Sequence, residues 1–264
     1  MTPTALTPRG LALALALAVP LPAAAQRVAD GEAFLDTFAG PLDMGRWYVS
    51  SGWSNGDWQA CTWSDRMMSL KDGALRLSLA PVGAGSEEWL CAELQSNAFF
   101  GYGAFEARIR TDRASGVNAA FFTYTGPTHG DPHEEIDVEV LTRDTGRFDA
   151  NTYNDGEANY GATVPLPVPA DEGFLTYSFV WEPGRIRWYV DGALVHTASG
   201  DLVPTRPQKM FLSHWNSRTF VDWMGPFEDP GRPLVMDVDW VAYTPEGAGC
   251  LYEGSVLCRP DFEP

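Results

Sequence analysis

From about residue 30 onward, apolar and polar side chains alternate one for one along most of the chain. Leu75, Leu77 and Leu79 are separated by Arg76 and Ser78, directly after Asp72-Gly73, a dipeptide that closes tight hairpins. Phe105, Ala107 and Ile109 alternate with Glu106, Arg108 and Arg110. The string FVWEPGRIRWYVDGALVH (179–196) reads as strand, turn, strand, turn, strand, with Pro183-Gly184 and Asp191-Gly192 at the turns. Residues 209–215 and 234–243 add runs rich in aromatic and branched side chains. No amphipathic pattern longer than two helical turns, no repeat and no low-complexity linker interrupts this order. Residues 30–245 therefore read as one antiparallel β-sandwich. The Gly/Pro-rich tail from about Pro245 reads as a short extension.

Composition narrows the partners. The 264 residues carry 35 Asp+Glu against 18 Lys+Arg, a formal net charge of −17. Gripping phosphate needs a basic face, so neither nucleic acid nor an anionic membrane surface is an expected partner. Ten Trp, nine Tyr and fourteen Phe accompany 20 Pro and 26 Gly. Many aromatics with many turn formers suit β structure and a ligand with apolar ring faces, such as a sugar.

Residues 1–25 read as a secretory signal peptide. Arg9 supplies a positive start, Leu11 to Val19 is an unbroken Leu/Ala/Val run, and Ala23-Ala24-Ala25 precedes the expected cleavage at Gln26. The apolar run falls well short of the roughly 20 residues that span a bilayer. The expected location is thus extracellular or periplasmic. An oxidising compartment favours disulfides, and Cys61, Cys91, Cys250 and Cys258 allow three pairings. A metal cluster fits less well, because there is no C-x-x-C and His129, His133, His196 and His214 lack ligand spacing to a cysteine. Cys61–Cys91 with Cys250–Cys258 is the preferred pairing, the second closing a small loop near the C-terminus. The expected organisation is a signal peptide (1–25), one main domain (26–245) and a disulfide-closed extension (246–264).

The segment DPHEEIDVEV (131–140) carries the chemistry. On a strand, Glu135, Asp137 and Glu139 share one face, while Ile136, Val138 and Val140 share the other and can enter a core. Three carboxylates in a row repel one another and gain nothing for folding. With a wholly apolar reverse face the strand is central, and a sheet that tolerates such repulsion at its centre uses it. Glycoside hydrolysis needs a pair of carboxyl groups, one giving a proton and the other attacking or activating water. The Cα atoms of Glu135 and Glu139 lie about 13 Å apart at roughly 3.3 Å per residue. Side chains leaning inward over a twisted sheet could close to the ~5–5.5 Å of retaining enzymes. Mutual repulsion raises the proton affinity of at least one member, as a general acid requires.

The stretch FFTYTGPTHGDPHEEIDVEV (121–140) resembles the active-site strand of the bacterial lichenases, endo-β-1,3-1,4-glucanases of glycoside hydrolase family 16, and of relatives that depolymerise bacterial exopolysaccharides. The family motif E-[IL]-D-x-E matches without a gap at Glu135 to Glu139. The likeness runs from about Phe34 to Thr244 through WSNGDWQACTW (53–63), CAELQS (91–96), FGYGAFEARI (100–109), FVWEPGRIRWYVDG (179–192) and VDWVAYT (238–244). It implies an all-β jelly-roll sandwich of concanavalin-like form, with a concave substrate cleft. It implies Glu135 as nucleophile, Asp137 as its assisting acid and Glu139 as general acid/base. Asn55, Glu93, Gln95, His133, Asn151, Tyr153 and Trp215 fall on positions that line the family's sugar cleft, and the CTW and CAE matches support the Cys61–Cys91 pair. Asp239, with backbone near Gly73, falls on a calcium position, so the resemblance implies a structural calcium and no cofactor for catalysis. A monomer acting on a polysaccharide is the expected working form.

Three departures bear on substrate. Lichenases carry Trp where this chain has His133, Arg where it has Gln95, and Asn where it has Ser213. Mixed-linkage glucan and an acidic or substituted exopolysaccharide are therefore the two substrate candidates. Two other functions use the same sandwich. A lectin-like binding module has no use for the carboxylate triplet, which argues against it. A transglycosylase would intercept the same covalent intermediate with a sugar.

Overall fold

A computed structural model describes residues 27–263. The reading of residues 1–25 as a signal peptide lies outside the described residues. Sixteen strands occur among the described residues. The first eight are β1 (Phe34–Asp36), β2 (Trp47–Val49), β3 (Cys61–Trp63), β4 (Met68–Lys71), β5 (Ala74–Pro81), β6 (Trp89–Ser96), β7 (Gly103–Thr111) and β8 (Val117–Thr125). Then follow β9 (Glu134–Leu141), β10 (Arg147–Asn154), β11 (Glu157–Pro165), β12 (Leu175–Glu182), β13 (Arg185–Val190), β14 (Ala193–Ser199), β15 (Lys209–Asn216) and β16 (Leu234–Pro245). A four-residue α-helix, α1 (Val221–Met224), interrupts them. No helix of the described residues is long and apolar enough to cross a membrane.

The strands form two layers. One runs β4-β5-β16-β7-β12-β13-β14, and the other runs β11-β10-β9-β8-β15-β6. They join where β5 and β6 pair at Ala80↔Leu90 and Pro81↔Trp89. Pairing is antiparallel throughout except between β3 and β6. The architecture is the expected sandwich, and its turns fall at Asp72-Gly73, Pro183-Gly184 and Asp191-Gly192 between the strands that the alternation marks.

Alternation decides which side chains meet between the layers. Leu75, Leu77, Phe105, Phe179, Trp181 and Trp188 from the first layer form one buried cluster with Leu94, Phe121, Ile136, Val138, Val140 and Leu212 from the second. Each such side chain contributes roughly 1.5–3 kcal/mol when fully buried. Phe121 meets Phe179 across the layers at 5.5 Å between ring centroids. The indole Nε1 of Trp188 donates to the carbonyl of Asp137 at 3.0 Å, tying β13 to the middle of β9. The centre of β9 is thereby anchored from behind.

Cys61 is bonded to Cys91 and Cys250 to Cys258, with Cα separations of 5.7 and 4.7 Å. The first bridge holds β3 against β6, which carries Glu93. The second closes the tail, which packs on the outer face of the first layer. There Ser255 Oγ donates to Glu106 Oε1 at 2.5 Å and the Val256 amide to Oε2 at 2.8 Å. Val256 is buried with Ala104, Val180 and Tyr189. Glu106, one of the polar positions of the alternating run, is thus covered rather than solvated, and burial raises its proton affinity.

Candidate active site

The outer face of the second layer carries a cleft of about 830 Å³. On β9, Ile136, Val138 and Val140 lie in the core, so Glu135, Asp137 and Glu139 project into this cleft. β9 lies between β8 and β10, inside the sheet. Register places a row of side chains beside each carboxylate. Glu139 is flanked by Ala120 on β8 and Asp149 on β10; beyond Ala120 come Ser213 and Glu93. Asp137 is flanked by Phe122 and Asn151, and Glu135 by Tyr124 and Tyr153. The small side chains at 120 and 213 leave a trough beside Glu139. Phe122 and Phe211, stacked at 4.8 Å and 14°, make an apolar floor beside it.

The three carboxyl groups have different environments. Glu139 Oε1 accepts from Asn118 Nδ2 at 2.7 Å. Burial, reinforced by Glu135 and Asp149, nevertheless pushes its pKa up to about 8, so it holds its proton at neutral pH. Burial is also the first cause of the rise at Asp137, followed by the charges of Glu135 and Glu139 and its hydrogen bond to Glu135. Repulsion alone, the cause available from sequence, is therefore the lesser part of the effect. Glu135 Oε2 lies 2.6 Å from His133 Nε2. Tyr153, opposite Glu135, is raised to about 12, by burial first and then by the three carboxylates.

Of the residues expected to touch sugar, Asn55, Glu93, Gln95, His133, Tyr153 and Trp215 line the cleft. Asn151 shares the face but stands beside the void, where it hydrogen-bonds Tyr153. Glu93 is 3 % exposed and accepts from Ser50 Oγ at 2.6 Å and from Gln95 Nε2 at 3.4 Å. Burial pushes its pKa up to about 7. Trp215 meets Trp58 at 5.0 Å and 70°, and Trp58 stacks on Phe220 at 5.6 Å. With Trp53 and Trp223 these rings make an aromatic wall.

Several contributors were not singled out from sequence. Trp53 and Trp58 sit inside a quoted motif, yet nothing local separates a cleft Trp from a core Trp. Phe220 and Trp223 come from the short α1 region, which carries no periodic signal. Asn118 reaches Glu139 diagonally from the neighbouring strand, a relation visible only once register is known. Glu134, beside Glu135, is wholly buried and faces away from the triplet. It accepts from the amides of Thr205 and Arg206 at 2.6 and 2.8 Å and from the Arg206 guanidinium, so it pins the loop before β15.

Asp239 lies where β16 shifts register between Val238 and Trp240, an extra residue that turns its side chain outward. Its Oδ2 pairs with Arg108 Nη1 at 2.5 Å, and no described protein atom bonds Oδ1. Gly73 takes a positive φ of 77° in the neighbouring β4–β5 turn, leaving open space at its Cα. One free carboxylate oxygen with backbone carbonyls is an oxygen donor set of the kind calcium takes. Among the described residues no three His, Cys, Asp or Glu side chains gather as a metal site.

Comparison with known proteins agrees with this geometry. Residues 55–242 match the family described as glycosyl hydrolases family 16. The endo-1,3-1,4-beta-glycanase ExoK of Rhizobium meliloti is 41 % identical over 229 residues, covering 86 % of this chain and 84 % of that protein. The beta-glucanase of Bacillus subtilis is 38 % identical over 215 residues, with 81 % and 87 % covered. The solved structure of Bacillus licheniformis beta-glucanase superposes with a TM-score of 0.78 at 36 % identity, covering 81 % of this chain and 99 % of that one. The chain belongs to glycosyl hydrolase family 16 and is a glycoside hydrolase of the endo-1,3-1,4-glucanase-like kind.

Proposed function

We propose that the protein is a secreted, monomeric, retaining endo-β-glycanase that cleaves β-1,3-1,4-linked glucan. The observation that carries this reading is the single-strand alternation of carboxyl groups in an aromatic-walled cleft, with Glu139 pushed to about 8. The names of the relatives, endo-1,3-1,4-beta-glycanase and beta-glucanase, support the linkage. Glu135 attacks the anomeric carbon while Glu139 hands its proton to the departing glycosidic oxygen. The C–O bond to the leaving chain breaks as the glycosyl ester to Glu135 forms. Glu139, now ionised, takes a proton from water; the hydroxyl displaces Glu135, and two inversions leave the β configuration. Asp137 hydrogen-bonds Glu135 and shares its proton. Rings such as Trp58 and Trp215 offer faces for pyranose C–H surfaces.

A second substrate reading, a substituted exopolysaccharide, is favoured by His133, Gln95 and Ser213, which replace larger or charged groups at the cleft. Transglycosylation by the same intermediate is a variant of the mechanism. Residues 1–25 as signal peptide and 246–264 as an extension complete the proposed organisation. A structural calcium held by Asp239 Oδ1 and carbonyls near Gly73 belongs to the proposal as well, and a calcium-dependent rise in Tm after EGTA dialysis would support it. The deciding experiment is reducing-sugar release on barley β-glucan, laminarin and succinoglycan-type polymers, with NMR of the first product. Release from none of them, or an α-anomer as first product, would overturn the reading.

A further inference from the structure

We propose that His133 is a positioning residue for the nucleophile: it holds one oxygen of Glu135 so that the other is presented to the anomeric carbon. The inference rests on Glu135 being the nucleophile. His133 Nε2 is 2.6 Å from Glu135 Oε2. An ionised carboxylate only accepts, so Nε2 carries the hydrogen in either charge state of the ring. The residue is held at its ring and at its backbone. One face lies on Tyr153 at 4.6 Å and 16°, and Tyr124 stands 5.2 Å away at 60°. The His133 carbonyl accepts the Gly156 amide at 3.0 Å, which pins the backbone from the β10–β11 turn. The ring so clamped commits its edge nitrogen to Glu135 and one face to Tyr153.

The consequence for Glu135 is orientational. Asp137 hydrogen-bonds it from one side along β9, and His133 from the other. With Oε2 tied down by His133, rotation of the carboxylate about its last bond is restrained. The carboxylate bonded to the imidazole is Glu135 of β9, and Tyr124 of β8 and Tyr153 of β10 pack their rings against the imidazole.

Two variants separate this role from sugar binding. His133→Phe keeps the ring on Tyr153 and removes the donor. His133→Gln removes the ring and keeps an amide nitrogen at the distance of Nε2. For His133→Phe, kcat on barley β-glucan should fall about 10²-fold, the scale of a misplaced reacting group, with KM within about two-fold. His133→Gln should recover a large part of that loss. Alkylation of Glu135 by an epoxyalkyl β-oligoglucoside, read by peptide mapping, should slow in the Phe variant in step with kcat. A rise in KM at unchanged kcat, or a Gln variant no better than Phe, would overturn the positioning role. Full turnover by Glu135→Gln, or a label on another carboxyl group, would instead remove the assignment of the nucleophile.

Discussion

Asn118 Nδ2 donates to Glu139 Oε1 at 2.7 Å from a side chain with no solvent exposure. That hydrogen bond favours the ionised form and opposes the burial that raises Glu139 to about 8. Glu139, the proposed acid/base, is therefore balanced between an apolar setting that keeps its proton on and one donor that eases its loss.

Asn118→Ala should shift that balance upward. With the donor gone, Glu139 binds its proton more tightly, so the alkaline limb of kcat/KM, expected near pH 8, moves to higher pH. A limb that stays in place or moves to lower pH would show that Glu139 does not govern it.

Removing the proposed acid/base gives a sharper result. Glu139→Ala should slow polymer cleavage by about 10²–10⁴-fold. The loss should be smaller for a substrate with an activated aryl leaving group, which departs without a proton. Azide should restore turnover of that substrate and yield a β-glycosyl azide, whereas Glu135→Gln should be inactive on both. An α-azide by NMR would reverse the assigned roles.

Glu93 couples the cleft to stability. Its pKa rises from the ordinary 4.5 to about 7, so the folded state holds a proton that the unfolded chain has released. A raised carboxyl pKa means stability present below about pH 4.5 and lost as pH climbs through about 7. The share lost is about 3–4 kcal/mol. Glu93→Gln should flatten the fall in Tm between pH 5 and pH 8. An unchanged slope would mean that Glu93 is ionised in the fold at pH 5.

The disulfides can be tested by non-reducing peptide mapping, which should find Cys61 with Cys91 and Cys250 with Cys258. Replacing Cys61 and Cys91 together by Ser should cost about 2–5 kcal/mol in urea unfolding. Ser255→Ala should cost about 1–3 kcal/mol, because it takes one donor from the buried Glu106. A loss under 0.5 kcal/mol, on the scale of an exposed surface change, would mean that the tail does not seal that carboxyl group.

Strand positions and the common face of Glu135, Asp137 and Glu139 were legible in the sequence, because a period of two follows from backbone geometry alone. The same rule placed Ile136, Val138 and Val140 in the core, and Asp72-Gly73 and Asp191-Gly192 at turns. The motif residues also carried the resemblance that named the cleft positions Asn55, Glu93, Tyr153 and Trp215. What the tertiary structure alone decided depends on pairs far apart in the chain. Asn118 reaches Glu139 only through the β8–β9 register, and Trp58 faces Phe220 across 162 positions of sequence numbering. Arg108 occupies one oxygen of Asp239, the expected calcium position, and the tail covers Glu106, a polar position of an alternating run. Proton affinities were hidden for the same reason. They follow burial first, and burial is set by everything that packs around a carboxyl group rather than by its neighbours in the chain.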